Sequence, residues 1–240
     1  MPPVRYSPTR DPATEALLAQ RVADLSTFAS GMVHDLRNPL NVIRTNLYLL
    51  RKWVPADEPR AVRALERVDD QVGVAMRLLE GAQAFYRAER ATLQPTQLNE
   101  IVQNVADTTS LPEGYFLETD LAVDLPTISA EAQLLDSILR ALIRNAVEAL
   151  SGGGGTIRVR TEGVDGTVRL SVADNGEGIS PEVGDRIFEP FFTTRRSHSG
   201  LGLATVSRVV SAHGGTVYAE SEPGEGTRVV TDLPAARPLG

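Results

Sequence analysis

The 240-residue sequence predicts an α+β protein of two parts, a helical hairpin followed by a two-layer α/β sandwich. Three observations carry this. Apolar residues recur at steps of about three and four from Leu18 to Phe85, with one break at Trp53-Val54-Pro55. After the stretch AERATLQPT the texture changes to short segments that alternate apolar and polar residues. Those segments are punctuated by turn signals, Gly152-Gly153-Gly154-Gly155 and Asp165-Gly166.

Residues 1–12 are rich in proline and polar groups and are expected to lack fixed structure. From 13 the first helix carries Leu18, Val22, Leu25, Ala29, Met32, Leu36, Ile43, Leu47 and Leu50 on one stripe. Pro59 opens a second helix, whose stripe runs through Val62, Leu65, Val68, Val72, Met76, Leu79 and Phe85. This hairpin, 13–87, leaves both stripes half exposed when alone, so pairing with a second copy into a four-helix bundle is expected. Residues 88–96 read as a linker. The second domain, 97–234, begins with a helix at 98–106 and a strand at 115–121. A strongly apolar helix at 130–150 ends at the four glycines. Strands at 156–161 and 167–173 form a hairpin around Asp165-Gly166. A helix at 200–212 and a second hairpin, 215–221 with 227–233, close the domain, and 235–240 is a tail.

Composition narrows the chemistry. The net charge of −7 argues against a nucleic-acid binder that needs a basic face. The absence of cysteine excludes disulfides and thiolate sites, and three histidines argue against a histidine-rich metal cluster. No run approaches the roughly 20 apolar residues that span a bilayer, and MPPVRYSPTRDP lacks the apolar core of a signal peptide, so a soluble cytoplasmic chain is expected. The single lysine, Lys52, lies in no Gly-rich motif, so any phosphate must be neutralised by other groups.

Four constellations carry candidate chemistry. In His34-Asp35-Leu36-Arg37-Asn38-Pro39, the histidine lies about 200° around the helix from the apolar stripe and should face solvent. Asn38 is one turn away on the same face, and Pro39 should kink or loosen the helix. An exposed imidazole beside a carboxylate makes a nucleophile whose ring proton the carboxylate accepts; a surface histidine near a packing kink has the same pattern. Asn145 is polar in the apolar run ALIRNAVE, and either faces a ligand or makes a structural hydrogen bond. Asp174-Asn175-Gly176-Glu177-Gly178 follows a strand; the glycines let backbone approach a flat ligand, and Asp174 can accept from an exocyclic amine, although acidic turns of this kind also bind calcium. The run from Phe188 to Leu203 joins three phenylalanines to Arg195 and Arg196, then opens a helix at Gly200-Leu201-Gly202 that favours phosphate. Its aromatics read equally as core, and its arginines as solvated.

The order of these elements resembles the two-domain core of sensor histidine kinases from about residue 20 to 234. HDLRNPLNVI looks like the family's phosphoacceptor box, RNAVEAL like its asparagine box, and DNGEGI like its first glycine box. IFEPFFTTR is similar to the phenylalanine box, SGLGLATV to the second glycine box, and HGGTVYAESEPGEGTRVVTDLP to the closing strands. The resemblance implies ATP and Mg²⁺ as cofactors, a homodimer, and a response-regulator receiver domain as partner. It implies His34 as the phosphorylated residue, assisted by Asp35, with Asn38 near the water of a phosphatase reaction. Asn145 would hold magnesium and Asp174 adenine; Gly176, Gly178, Arg195, Arg196, Gly200, Gly202 and Thr227 would complete the nucleotide site.

Two departures stand out. Aspartate follows the histidine where the family mostly has glutamate, which shortens the carboxylate's reach. Ala141 stands where the asparagine box often has an earlier asparagine. The loop between Arg195 and Gly200 is also short, which implies a compact lid. The stretch before His34 leaves no room for a sensory domain, so a separate or missing sensor is expected. Two other functions fit parts of the pattern: an ATPase of the same nucleotide fold that is not a protein kinase, and a non-catalytic dimeric scaffold.

Overall fold

The computed structural model describes residues 3–8, 36–55, 57–150, 153–194 and 200–236, with Arg77 described by its backbone alone. Helix α1, helical over 36–53, and helix α2, Pro59–Arg87, form the expected hairpin. Proline at the first turn of α2 gives up an N–H that has no helical partner there. The register is antiparallel. Arg37 Nη2 donates to Gln83 Oε1 at 2.6 Å, and Arg51 pairs with Asp69 at 3.5 Å, so fourteen residues forward on α1 match fourteen back on α2. Leu47 and Val72 are the buried apolar residues of the two helices' middle. Leu36, Ile43 and Leu50 of the stripe remain 46%, 43% and 41% exposed, because one hairpin has nothing further to lay against them. The kink expected at Pro39 concerns the carbonyl of Asp35, outside the described residues; 36–53 is helical throughout.

The second part is a six-stranded sheet, in order β1-β7-β8-β6-β5-β3, covered on one face by helices. Its strands are β1 (Val4–Tyr6), β3 (Tyr115–Leu121), β5 (Gly155–Val164), β6 (Thr167–Asp174), β7 (Thr216–Glu222) and β8 (Gly226–Pro234). Neighbours are antiparallel except β3 and β5, which run parallel because the chain crosses over between them through α4 (Ala132–Ala149). Helices α3 (Leu98–Thr108) and α5 (Gly202–Ala212) flank α4. Leu98, Val102 and Val105 recur at helical spacing and are fully buried. Ile157, Val159 and Thr161 of β5 point into the same core while Arg158, Arg160 and Glu162 point outward.

The outward face is laced with ion pairs: Arg158 with Glu118, Arg160 with Asp120, Arg228 with Glu220, and Arg169 with Asp232. The hydrogen bond to Asp232 holds the Arg169 guanidinium well above its ordinary pKa. Such pairs add little stability each, but they keep a broad sheet face solvated.

Several expectations need correction. Residues 4–6, expected to lack fixed structure, form β1, because the free edge of β7 supplies partners that three residues cannot find locally. The linker 88–96 is structured: Ala88–Arg90 is a 3-10 turn, and β2 (Gln94–Thr96) pairs with β4 (Ile128–Ala130). The helix expected from 130 begins at Ala132, since Ile128–Ala130 alternates buried, exposed, buried as a strand. The helix expected from 200 begins at Gly202. Even the tail is held at its start, where Ala236 N donates to Thr127 O at 2.7 Å. The first helix from 13 to 35 lies outside the described residues.

Behind the linker sits a buried polar junction. Glu131 pairs with Arg87, accepts from Thr92 N at 3.0 Å, and donates its own N–H to His213 Nε2 at 3.0 Å. His213 Nδ1 stands 2.7 Å from Val209 O, so the ring is fixed with its proton on Nδ1. One carboxylate thereby ties the end of α2 to the middle of the linker and the start of α4.

Candidate active site

A cavity of about 840 Å³ opens between α4, the ends of β6 and β8, and the start of α5. Asn145, Asp174, Gly178, Gly200, Gly202 and Thr227 all line it, although they lie up to 82 residues apart in sequence. Apolar walls come from Leu142, Ala146, Val172, Ile179 and Ile187, which suits a flat ring with a polar edge.

Asp174 is the last residue of β6, opposite Thr227 on β8. Its Oδ1 accepts from Gly176 N at 2.9 Å and Thr227 N at 3.3 Å, which locks the carboxylate at the cavity wall. The strand can end this way because Gly226, at φ +93°, lets β8 pass within a carbon's width of Asp174; a Cβ there would stand 2.0 Å from its carbonyl oxygen. Gly178, at φ +71°, plays the same part against Glu222, where a Cβ would stand 2.3 Å from the carbonyl oxygen. Gly176 does not line the cavity. It packs on the end of α4, 2.4 Å from the Ala149 carbonyl oxygen to a would-be Cβ, and so shapes the turn from behind.

Asn145 is half-buried on α4 and faces the start of α5; a Cβ on Gly202 would meet its Oδ1 and Nδ2 at 3.5 Å each. A neutral amide oxygen next to a helix N-terminus suits a hard divalent cation that shares its shell with phosphate oxygens. Phe191 N donates to Gly200 O at 3.0 Å, which holds these two residues together beside the cavity. The three phenylalanines divide: Phe188 is core, Phe191 is 75% exposed, and Phe192 lines the cavity with Arg186 stacked 4.2 Å from its ring centroid. Of that aromatic run, then, one ring is core and one lines the cavity.

Of the other predicted residues, Asn38 is exposed on α1, away from the cavity lining. His34, Asp35, Arg195 and Arg196 lie outside the described residues. Among the described residues, the cations lining the cavity are Arg140 and Arg144, which sequence reasoning did not single out. Arg140 is held by a two-point pair with Asp136, at 2.9 and 3.2 Å, and by Thr108. The available signal was a pair of arginines one turn apart beside Asn145.

The hairpin also reaches this site, through Val74, Leu78 and Gly81 of α2. Thr205 Oγ1 of α5 donates to Gly81 O at 3.3 Å. Arg208 of α5 pairs with Glu89 and stacks 4.4 Å from the Phe85 ring centroid. A Cβ on Gly81 would stand 3.6 Å from Leu201 Cβ, an ordinary van der Waals contact, so α2 and α5 are closely packed here.

Comparison with known proteins agrees with this geometry. Residues 24–91 match the model of the His Kinase A (phospho-acceptor) domain, and 130–237 that of the histidine kinase-, DNA gyrase B-, and HSP90-like ATPases. The signal transduction histidine-protein kinase AtoS of Escherichia coli (strain K12) is 33% identical over 222 residues, 90% of this chain and 36% of that protein. Full-length ShkA in complex with AMPPNP superposes with a TM-score of 0.68 at 31% identity, covering 89% of this chain and 47% of that one. The catalytic domain of the histidine kinase ThkA matches at 30% identity and a TM-score of 0.51, covering 60% of this chain and 95% of that domain. The chain spans between 27% and 50% of the length of the curated relatives it matches. Among the described residues, no helix is long and apolar enough to cross a membrane.

Proposed function

Because the chain belongs to the sensor histidine kinase family, we propose that it binds ATP in the cavity, phosphorylates its own His34, and passes the phosphoryl group to an aspartate of a response-regulator receiver domain. The observation that carries this reading is the convergence of Asp174, Asn145 and the Gly200-Leu201-Gly202 helix start on one cavity whose far wall is the hairpin.

In this reading the adenine amine meets Asp174, held rigid by its two backbone donors. Gly178 and Thr227 let backbone lie close against the ring. The phosphate tail lies at the start of α5, where the helix dipole favours anions, with Arg195 and Arg196 adding charge. Asn145 would hold Mg²⁺, which when bound neutralises phosphate charge as the bond breaks. A ring nitrogen of His34 forms a bond to the γ-phosphorus as the bond to the bridging oxygen breaks and ADP leaves; Asp35 accepts the ring proton. Asn38 positions a water when the receiver's phosphate is hydrolysed.

Dimerisation follows from the hairpin: Leu36, Ile43 and Leu50 recur every seventh residue and stay exposed in one chain. We place the chain on the cytoplasmic side, where ATP and receiver domains are found. An ATPase without a phosphoacceptor would need no partner helix beside its cavity, and the match of 24–91 weighs against it. The test is label transfer. Incubation with γ-labelled ATP and Mg²⁺ should label the chain, and a receiver domain added afterwards should remove the label. Steady phosphate release without protein label would favour the ATPase.

A further inference from the structure

Strand β1 precedes the hairpin in sequence yet completes the sheet of the ATP-binding domain. Val4, Arg5 and Tyr6 lie opposite Ser221, Glu220 and Ala219 of β7. On the helix-covered face Tyr6 is only 5% exposed and belongs to the core. On the outer face the Arg5 guanidinium lies 3.4 Å from the Tyr218 ring centroid. Ser7 N then donates to Asp185 Oδ1 at 2.8 Å. The Tyr6 ring edge also reaches Gly184, 4.0 Å from where a Cβ would stand.

Gly184 and Asp185 open the 3-10 turn Gly184–Phe188, and this turn is part of the nucleotide site: Ile187 lines the cavity, as does Val183 just before it. A single turn has few hydrogen bonds of its own, so what packs beneath it sets its position. Helix α5 packs against it on one side, and Tyr6 and the Ser7 amide meet its first two residues, Gly184 and Asp185. An uncovered sheet edge is a ready template for an extended segment, and this one offers besides a core socket for an aromatic ring.

We propose that the β7 edge together with the Gly184–Phe188 turn is a strand-docking site, occupied by residues 4–7 of this chain, and that the docked strand sets nucleotide affinity by bracing that turn. Tyr6 is then a positioning residue, acting on the cavity through Gly184–Phe188. Any event that draws the segment off the edge loosens the turn and weakens ATP binding. Coupling between two ligands is reciprocal, so bound nucleotide must equally strengthen the docking of β1. The inference rests on the cavity being an ATP site, the reading given above.

The 240-residue chain allows a direct test because it has no cysteine. Arg5 and Glu220 are directly opposed, and such Cα atoms lie about 4.5–5.5 Å apart, inside the disulfide range of roughly 4.4–6.8 Å. In a chain carrying Arg5→Cys and Glu220→Cys, mild oxidation should close a disulfide within one chain, faster with a non-hydrolysable ATP analogue present. Tyr6→Ala should weaken analogue binding by about tenfold, leave the labelling rate at saturating ATP unchanged, and recover part of its affinity when combined with the oxidised cysteine pair, which restores the Ser7 contact but not the ring. Failure of the disulfide to form, or its formation between two chains, would overturn the docking; wild-type affinity in Tyr6→Ala would overturn the coupling. A wild-type chain that binds no analogue would instead overturn the kinase reading and the coupling with it, while the disulfide still reports the docking.

Discussion

Replacing Asp174 with asparagine should separate nucleotide binding from folding. The carboxylate's Oδ1 accepts from two backbone amides, Gly176 N at 2.9 Å and Thr227 N at 3.3 Å. An asparagine keeps an acceptor oxygen for both, so the turn and the β6–β8 register should survive. What changes is the wall of the cavity: an –NH2 group enters a position where the ligand's exocyclic amine also donates. The loss is a charge-assisted hydrogen bond of about 1.5–3 kcal/mol, which at 1.4 kcal/mol per decade weakens the nucleotide roughly ten- to a hundredfold. Asp174→Ala differs, because it leaves both amides without an acceptor, at about 1–3 kcal/mol each, and should lower stability as well. Titration with a fluorescent ATP analogue reads the first quantity, and thermal unfolding without nucleotide the second. An asparagine variant that binds the analogue like wild type would refute the placing of adenine at Asp174. One that unfolds as readily as the alanine variant would refute the hydrogen-bond argument.

Three further outcomes are expected. Gly226→Ala puts a Cβ 2.0 Å from the Asp174 carbonyl oxygen at φ +93°; denaturant unfolding should show a loss above about 3 kcal/mol. Asn145→Ala should leave the fold intact, since Asn145 is half-buried, but make analogue affinity nearly indifferent to Mg²⁺, as calorimetry with and without chelator would show. Ile43→Asp, in a stripe residue 43% exposed in one chain, should shift the chain towards monomer in analytical ultracentrifugation while nucleotide binding persists.

How much of this was legible in the sequence depended on where the determining contacts lie. Strand β3 and the hairpins β5–β6 and β7–β8 are set by alternation, and β5–β6 also by Asp165-Gly166, which act over a few residues. The three-residue strands β1, β2 and β4 are too short to establish a period in sequence; each is paired with a partner edge that lies beside it only in the fold. In the site, Asn145 and Asp174 stood out as polar residues at apolar or strand-end positions. Arg140 and Arg144 did not, because arginines on a helix read as a solvated face. The wall made by Val74, Leu78 and Gly81 was hidden for a different reason: it depends on α5 docking against α2, a contact between parts more than a hundred residues apart.

The central claim is that this chain transfers phosphate to its own histidine, and the chemistry of the bond tests it most directly. The full chain and its His34→Gln variant are incubated with γ-labelled ATP and Mg²⁺, and the labelled protein is exposed to acid and to alkali. The label should survive alkali, be lost in acid, and never appear on the variant, which still binds nucleotide. Label that survives acid, or appears undiminished on His34→Gln, would contradict it.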